Sequence, residues 1–283
     1  MPSVPPAEIA QKIAPNPNIP FVPALRVRPE VQQSNIAGLS AAYAAMQGLS
    51  ESDRRSWIYW AEFHGFNRFD CWHHGTQGQQ HYPYDLFLPW HRAYLQYFEL
   101  VAFASNPGVA LPWWDWTSVL SHEVGVPPAF EHEPPLASGP VPPSLRTDPP
   151  RTTRSPGHPS ELPSTQTIDA ILEISSFEEF SRELQNQHDF VHGWTGGDMG
   201  VVATSAFDPI FWSHHAMIDR LWYLWQLRHG VDNIPPNYLN LVLAPWSLTV
   251  QDVLSVTALG YTYGAARLLI PIDKFKTAPL LRV

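Results

Sequence analysis

A single cysteine, Cys71, serves all 283 residues. One thiol cannot form an internal disulfide, and it gives no support to an oxidising compartment. Basic charge is also scarce: 17 Lys and Arg stand against 26 Asp and Glu, a formal net charge of −9 with no basic run. That balance argues against nucleic acid or an anionic membrane as partner and suits a small, neutral or aromatic ligand. No apolar stretch reaches transmembrane length, and the N-terminus "MPSVPPAEIAQKIAPNPNIPFVPALRVRPEVQQ" lacks the basic start and continuous apolar core of a secretion signal. A soluble chain in a reducing cytoplasm is the default expectation, with export by another route left open. No repeat of fixed period and no clear boundary interrupts the chain, so residues 1–283 are read as one domain.

Proline and tryptophan are abundant, with 30 and 12 copies, and 44% of the residues are hydrophobic. Such a chain should be rigid and loop-rich, its helices packed through large aromatic side chains. Leu39, Tyr43, Met46, Trp57 and Trp60 recur at helical spacing and predict helices over about 36–48 and 51–64. Pro89 stands just before a third, over about 90–104. Residues 122–164, with twelve prolines in 43 positions, are expected as extended loop, either a lid or a surface excursion. Regular patterning resumes at about 166–194, where Ser176 followed by Glu179 resembles a capping box opening the helix that would carry His188 and His192. A last amphipathic helix covers about 210–228, and short strand-like pieces and turns follow.

Histidine carries the chemistry. In "QHDFVHGW", His188 and His192 are four apart, so a helix presents both imidazoles on one face. His215, 23 residues later in "AFDPIFWSHHAMIDRLWYLWQ", can be returned to them by the loop containing "TGGDMG". A second cluster comprises His64, His91 and the loop "CWHHGTQGQQH" with His73, His74 and His81. A lone histidine on an apolar face is more often a hydrogen-bonded core residue. Two clusters of three imidazoles instead suggest two metal ions facing each other. The absence of an obvious carboxylate ligand disfavours magnesium, calcium and carboxylate-bound iron, and no H-E-x-x-H zinc pattern is present. Donor chemistry alone leaves zinc and copper level.

The segments "LFLPWHRAYLQYFE", "LPWWDW" at 111–116, "HDFVHGWTGG" and "DPIFWSHHAMIDRLWYLWQ" resemble the type-3 dicopper superfamily of tyrosinases, catechol oxidases and molluscan haemocyanins. The resemblance spans about 57–229, and "GYTY" at 260–263 is similar to the tyrosine motif of that family. It implies a mainly α fold: a four-helix bundle enclosing a dinuclear copper centre, with long proline-rich loops and a few short strands. The first copper region would cover about 57–104 and the second about 176–229, with O2 as co-substrate. By the same resemblance His64 and His91 match the first and third ligands of the first copper. His188, His192 and His215 match those of the second, and His214 should hydrogen-bond beside the metal without binding it. The second ligand of the first copper departs from the usual spacing, which falls on Tyr82. His73, in the Cys-x-His form that some members join through a thioether, is preferred, with His81 and His74 as alternatives.

The function implied is oxidation of o-diphenols, extending to o-aminophenols, to o-quinones, with ortho-hydroxylation of monophenols as a further activity. A haemocyanin-like reversible O2 carrier is the alternative. Only 68 residues follow His215, little room for a shielding domain. Gly193 and Val202 fall where the family places substrate access, and both are small. Asp189 replaces an Asn common in monophenol-hydroxylating members, and Glu179, with Glu183 as competitor, matches the Glu that holds a water with that Asn. This departure shifts weight toward o-diphenols. The expected partner is a small phenolic molecule, with a copper chaperone compatible and no oligomeric state implied. Arg92 is expected to pair with an aspartate, Asp115, Asp208 and Asp219 being at hand.

Overall fold

The computed structural model describes residues 25–66, 86–104, 106 and 108–264. Helix α1 (Ile36–Gln47) opens at Asn35, whose side chain accepts from the Gly38 N–H at 3.0 Å. The helix expected over 51–64 is shorter, α2 (Trp57–Ala61), because Ser56 caps it by accepting from the Tyr59 N–H. Residues 51–56 form turns in which Asp53 accepts from the Arg55 N–H. Beyond Ala61 the chain tightens, with Phe63 N–H donating to Trp60 and His64 N–H to Ala61, and that tight turn carries His64.

Helix α3 (Phe87–Ala102) starts three residues earlier than the sequence suggests. Pro89 lies in its first turn, where a missing N–H leaves no bond unmade. Every residue of α3 is buried, as befits a central helix. Helix α4 (Thr165–Leu172) precedes helix α5 (Phe177–Thr195), which opens at Ser176 as the sequence suggests, Ser164 and Ser176 supplying the caps. Helix α6 (Pro209–His229) begins with Asp208 accepting from Ile210 N–H and Pro209 in the first position. It packs along α3, where Trp212 stacks on Phe98 at 3.5 Å between ring centroids and Trp57 meets both edge-on.

The proline-rich stretch differs from the expected loop. Short helices occupy Val119–Val124, Pro128–His132 and Pro134–Ala137, and a 3₁₀ turn Pro159–Glu161. Three of these four place proline in the first helical positions, where its fixed φ starts a turn. The rest is a strap tied down by charge. Arg146 donates to both carboxylate oxygens of Asp198 at 3.0 Å, and Arg154 Nε donates to Asp208 at 2.9 Å.

Strands β1 (Arg26–Arg28) and β2 (Tyr261–Tyr263) pair in parallel, with Arg26 opposite Tyr261 and Arg28 opposite Tyr263. They close over a buried charge network. Arg28 donates to Glu99 of α3 at 2.8 and 3.1 Å and to Asp219 of α6 at 3.1 Å. Arg92, stacked over the Trp222 ring at 3.6 Å, donates to the other oxygen of Asp219. The hydroxyls of Tyr261 and Tyr263 donate to Asp219 as well, which gives the tyrosine motif its physical role. Among the described residues no helix is long and apolar enough to cross a membrane.

Candidate metal centre

Helix α5 runs unbroken through His188 and His192, so the two imidazoles stand one turn apart with ring centroids 4.4 Å apart. Helix α6 brings His215 against them, its Nε2 lying 3.1 Å from the Nε2 of each. From α3, His91 stacks on His215 at 4.2 Å, and His64 stands 5.5 Å from His91 and 5.9 Å from His215. All five rings are buried, and His215 belongs to both resulting groups: His64, His91, His215 and His188, His192, His214, His215. The structure therefore brings together five of the six imidazoles expected at the metals. His73, His81 and His74, the candidates for the sixth, lie outside the described residues, as do Cys71 and Tyr82.

Hydrogen bonds on the far side of the rings fix which nitrogen faces inward. His91 Nδ1 donates to the Phe87 carbonyl at 2.8 Å and His192 Nδ1 to the Met199 carbonyl at 2.7 Å. His64 Nδ1 lies 3.1 Å from the Val202 carbonyl, and His188 Nδ1 donates to Asp189 at 2.9 Å. A proton held at Nδ1 leaves Nε2 with its lone pair, the tautomer a metal requires. Burial, then the neighbouring imidazoles, push the His215 pKa well below its ordinary value and keep the ring neutral.

His214 is buried beside this group, 5.1 Å from the His188 ring and 4.8 Å from that of His192. The backbone of His188 is the polar group that acts on its ring, raising its pKa against the burial that lowers it. Burial first, and then His192, depress its pKa strongly.

Beside the histidines opens a cavity of about 170 Å³, lined by His64, His188, His192, Asp189, Gly193 and Val202 together with Met199, Gly200 and Ser205. Both expected access residues and Asp189 thus border it. Glu179 does not: it is exposed in the first turn of α5, and nine residues of continuous helix carry it about 13.5 Å along the axis from His188. Glu183 is engaged by Arg182 and Asn186. Glu179 therefore stands too far from His188 and Asp189 to hold a water with them.

The loop after α5 shows why "TGGDMG" is there. Gly196 and Gly197 have φ of +62° and +56°, and a Cβ on Gly197 would stand 2.2 Å from the Thr153 carbonyl. Only glycine lets the loop pass beneath the strap and deliver the Met199 carbonyl to His192. These backbone acceptors escaped sequence reading because every residue has a carbonyl. Arg28 escaped it too, although two arginines alternating about Val27 in "RVR" mark a strand with both guanidinium groups on one face.

The donor set fits copper. The described groups hold imidazole nitrogens and no carboxylate oxygen, which suits copper or zinc and disfavours harder cations. Comparison with known proteins separates these two. Residues 54–140 and 137–228 match the family model of the common central domain of tyrosinase. The tyrosinase of Streptomyces antibioticus is 31% identical over 216 residues, which cover 62% of this chain and 78% of that one. A tyrosinase structure from Burkholderia thailandensis superposes with a TM-score of 0.70 at 21% identity, over 88% of this chain and 75% of the other. A functional unit of octopus haemocyanin superposes with the same score at 23% identity, over 85% and 68%. The fold is thus shared by tyrosinases and haemocyanins, while the sequence match decides the membership: this chain belongs to the tyrosinase family of type-3 copper oxidoreductases, which carry a dinuclear copper centre and use O2.

Proposed function

We propose that this protein oxidises o-diphenols, and o-aminophenols with them, to the corresponding quinones. The observation that carries this reading is the cavity of about 170 Å³ against His64, His188 and His192. A cavity of roughly 150 Å³ accommodates benzene, so the space suits one phenolic ring. Copper, when bound, supplies the redox chemistry by which O2 withdraws electrons from the diphenol. His64 and His91 would hold the first ion and His188, His192 and His215 the second, each through Nε2. The carbonyls of Phe87, Val202 and Met199 keep three of these rings turned inward. Gly193, which offers no side chain, and the small Val202 leave the ring a path to the histidines.

Asp189 bears on the choice of substrate. Its carboxylate accepts from His188 Nδ1, an engagement that an amide meets less strongly. This supports the weight placed on o-diphenols over monophenols. Oxygen uptake by the copper-loaded protein with 4-methylphenol, 4-methylcatechol and 2-aminophenol in parallel tests the reading. Uptake with the catechol and the aminophenol is expected. Reversible O2 binding without turnover of any of the three would establish a haemocyanin-like carrier in its place.

A further inference from the structure

We infer that Asp189 makes this site select amine-bearing catechols over catechol carboxylates, an inference that rests on the phenol-oxidase reading above. Among the described lining residues Asp189 is the one with a formal charge, since the histidines there serve as neutral donors. Its side chain is 48% exposed and also lines the cavity, so its charge is open to solvent beside the histidines. Its position is also fixed, because the bond from His188 Nδ1 at 2.9 Å holds one carboxylate oxygen behind the imidazole.

Cavity size makes this charge selective. A space of about 170 Å³ takes the ring and little else. A substituent of two or three carbons para to the reacting oxygen must therefore extend toward the mouth. Its terminal group then meets Asp189, which attracts an ammonium and repels a carboxylate. The net charge of −9 acts in the same direction at longer range. Two unit charges about 4 Å apart in water change an equilibrium about five-fold, and salt weakens the effect.

The test compares kcat/KM for 4-(2-aminoethyl)catechol, 4-methylcatechol and 3-(3,4-dihydroxyphenyl)propionate with copper-loaded protein at low and high salt. The amine should exceed the neutral catechol, and the neutral catechol the acid, by about five-fold at each step and mainly through KM. Asp189→Asn should collapse the order, whereas Asp189→Glu, which keeps the charge, should preserve it. Ratios between substrates cancel any copper lost with the His188 contact. Calorimetric binding of the inert probes phenethylammonium and 3-phenylpropionate, to loaded and metal-free full-length chain, gives a readout independent of turnover. Tighter binding of the ammonium, lost in Asp189→Asn, is expected. Equal kcat/KM for all three substrates, equal binding of the two probes, or an order unchanged in Asp189→Asn would overturn the inference. Failure to oxidise 4-methylcatechol would instead overturn the phenol-oxidase reading, leaving the binding arm to decide charge selection.

Discussion

His214 and His215 are adjacent, equally buried and both depressed in pKa, yet their surroundings differ. The Nε2 of His215 sits 3.1 Å from that of His188 and of His192, and its ring stacks on His91. His214, one position earlier on the same helix, stacks at 17° on the His188 ring instead. His215→Ala should therefore lose about one copper per chain and all oxidation, while His214→Ala keeps most of its metal. Copper counted by atomic absorption on the purified variants decides it, and the reverse pattern would exchange the two roles. The buried histidine cluster was legible because histidines four apart on a helix share one face. The groups that orient them were not, since they are mostly main-chain carbonyls. Glu179 stands apart from the site because an unbroken helix separates it from His188.

The elements are joined by two devices, one ionic and one steric. Asp219 receives Arg92 from α3, Arg28 from β1 and two tyrosines from β2, so one carboxylate ties four elements together. Asp219→Ala leaves buried guanidinium groups short of countercharge and should cost about 3–5 kcal/mol in urea unfolding. Tyr261→Phe removes one hydrogen bond from the same carboxylate and should cost about 1–2 kcal/mol. A value for Asp219→Ala no larger than that for Tyr261→Phe would refute the network's ionic character. The steric device is the Gly196–Gly197 turn beneath the strap. Gly197→Ala forces a Cβ to within 2.2 Å of the Thr153 carbonyl at a φ of +56°, so the loop must move and take the Met199 carbonyl with it. Stability should fall by at least about 1 kcal/mol, and the second copper should be released more readily to a chelator. Helix positions were largely readable from apolar spacing. The strap was not, because proline content signals a break in regular structure without revealing that several prolines begin helical turns.

At the scale of the whole molecule, membership in a mainly helical copper family was legible from motifs spread over 57–229, while the closure of the core was not. That closure depends on Arg28, which lies 63 residues from His91 in the sequence and meets Glu99 and Asp219 only after folding. The same closure sets the response to acid. Burial alone would raise the carboxyl pKa of Glu99, but Arg26 and Arg28 outweigh it and hold the group below its ordinary 4.5. Asp219 is likewise held below 3.8, Arg92 and Arg28 overcoming its burial. Carboxyls depressed in the folded state bind protons more readily when unfolded, so their contribution is complete above their ordinary values and drains away as pH falls below them. Asp208 and Glu30 act in the opposite sense. Burial raises both, against Arg154 for the former and the Gln32 N–H for the latter, so their protonation on mild acidification favours the folded chain. Stability of the metal-free protein should therefore hold down to about pH 5 and drop steeply below about pH 4. Urea midpoints measured from pH 7 to 3 should show this profile, and Asp219→Asn, which has no carboxyl to protonate there, should show a lower plateau with a shallower fall. An equally steep fall in that variant would place the acid sensitivity elsewhere than in the charges that close the core.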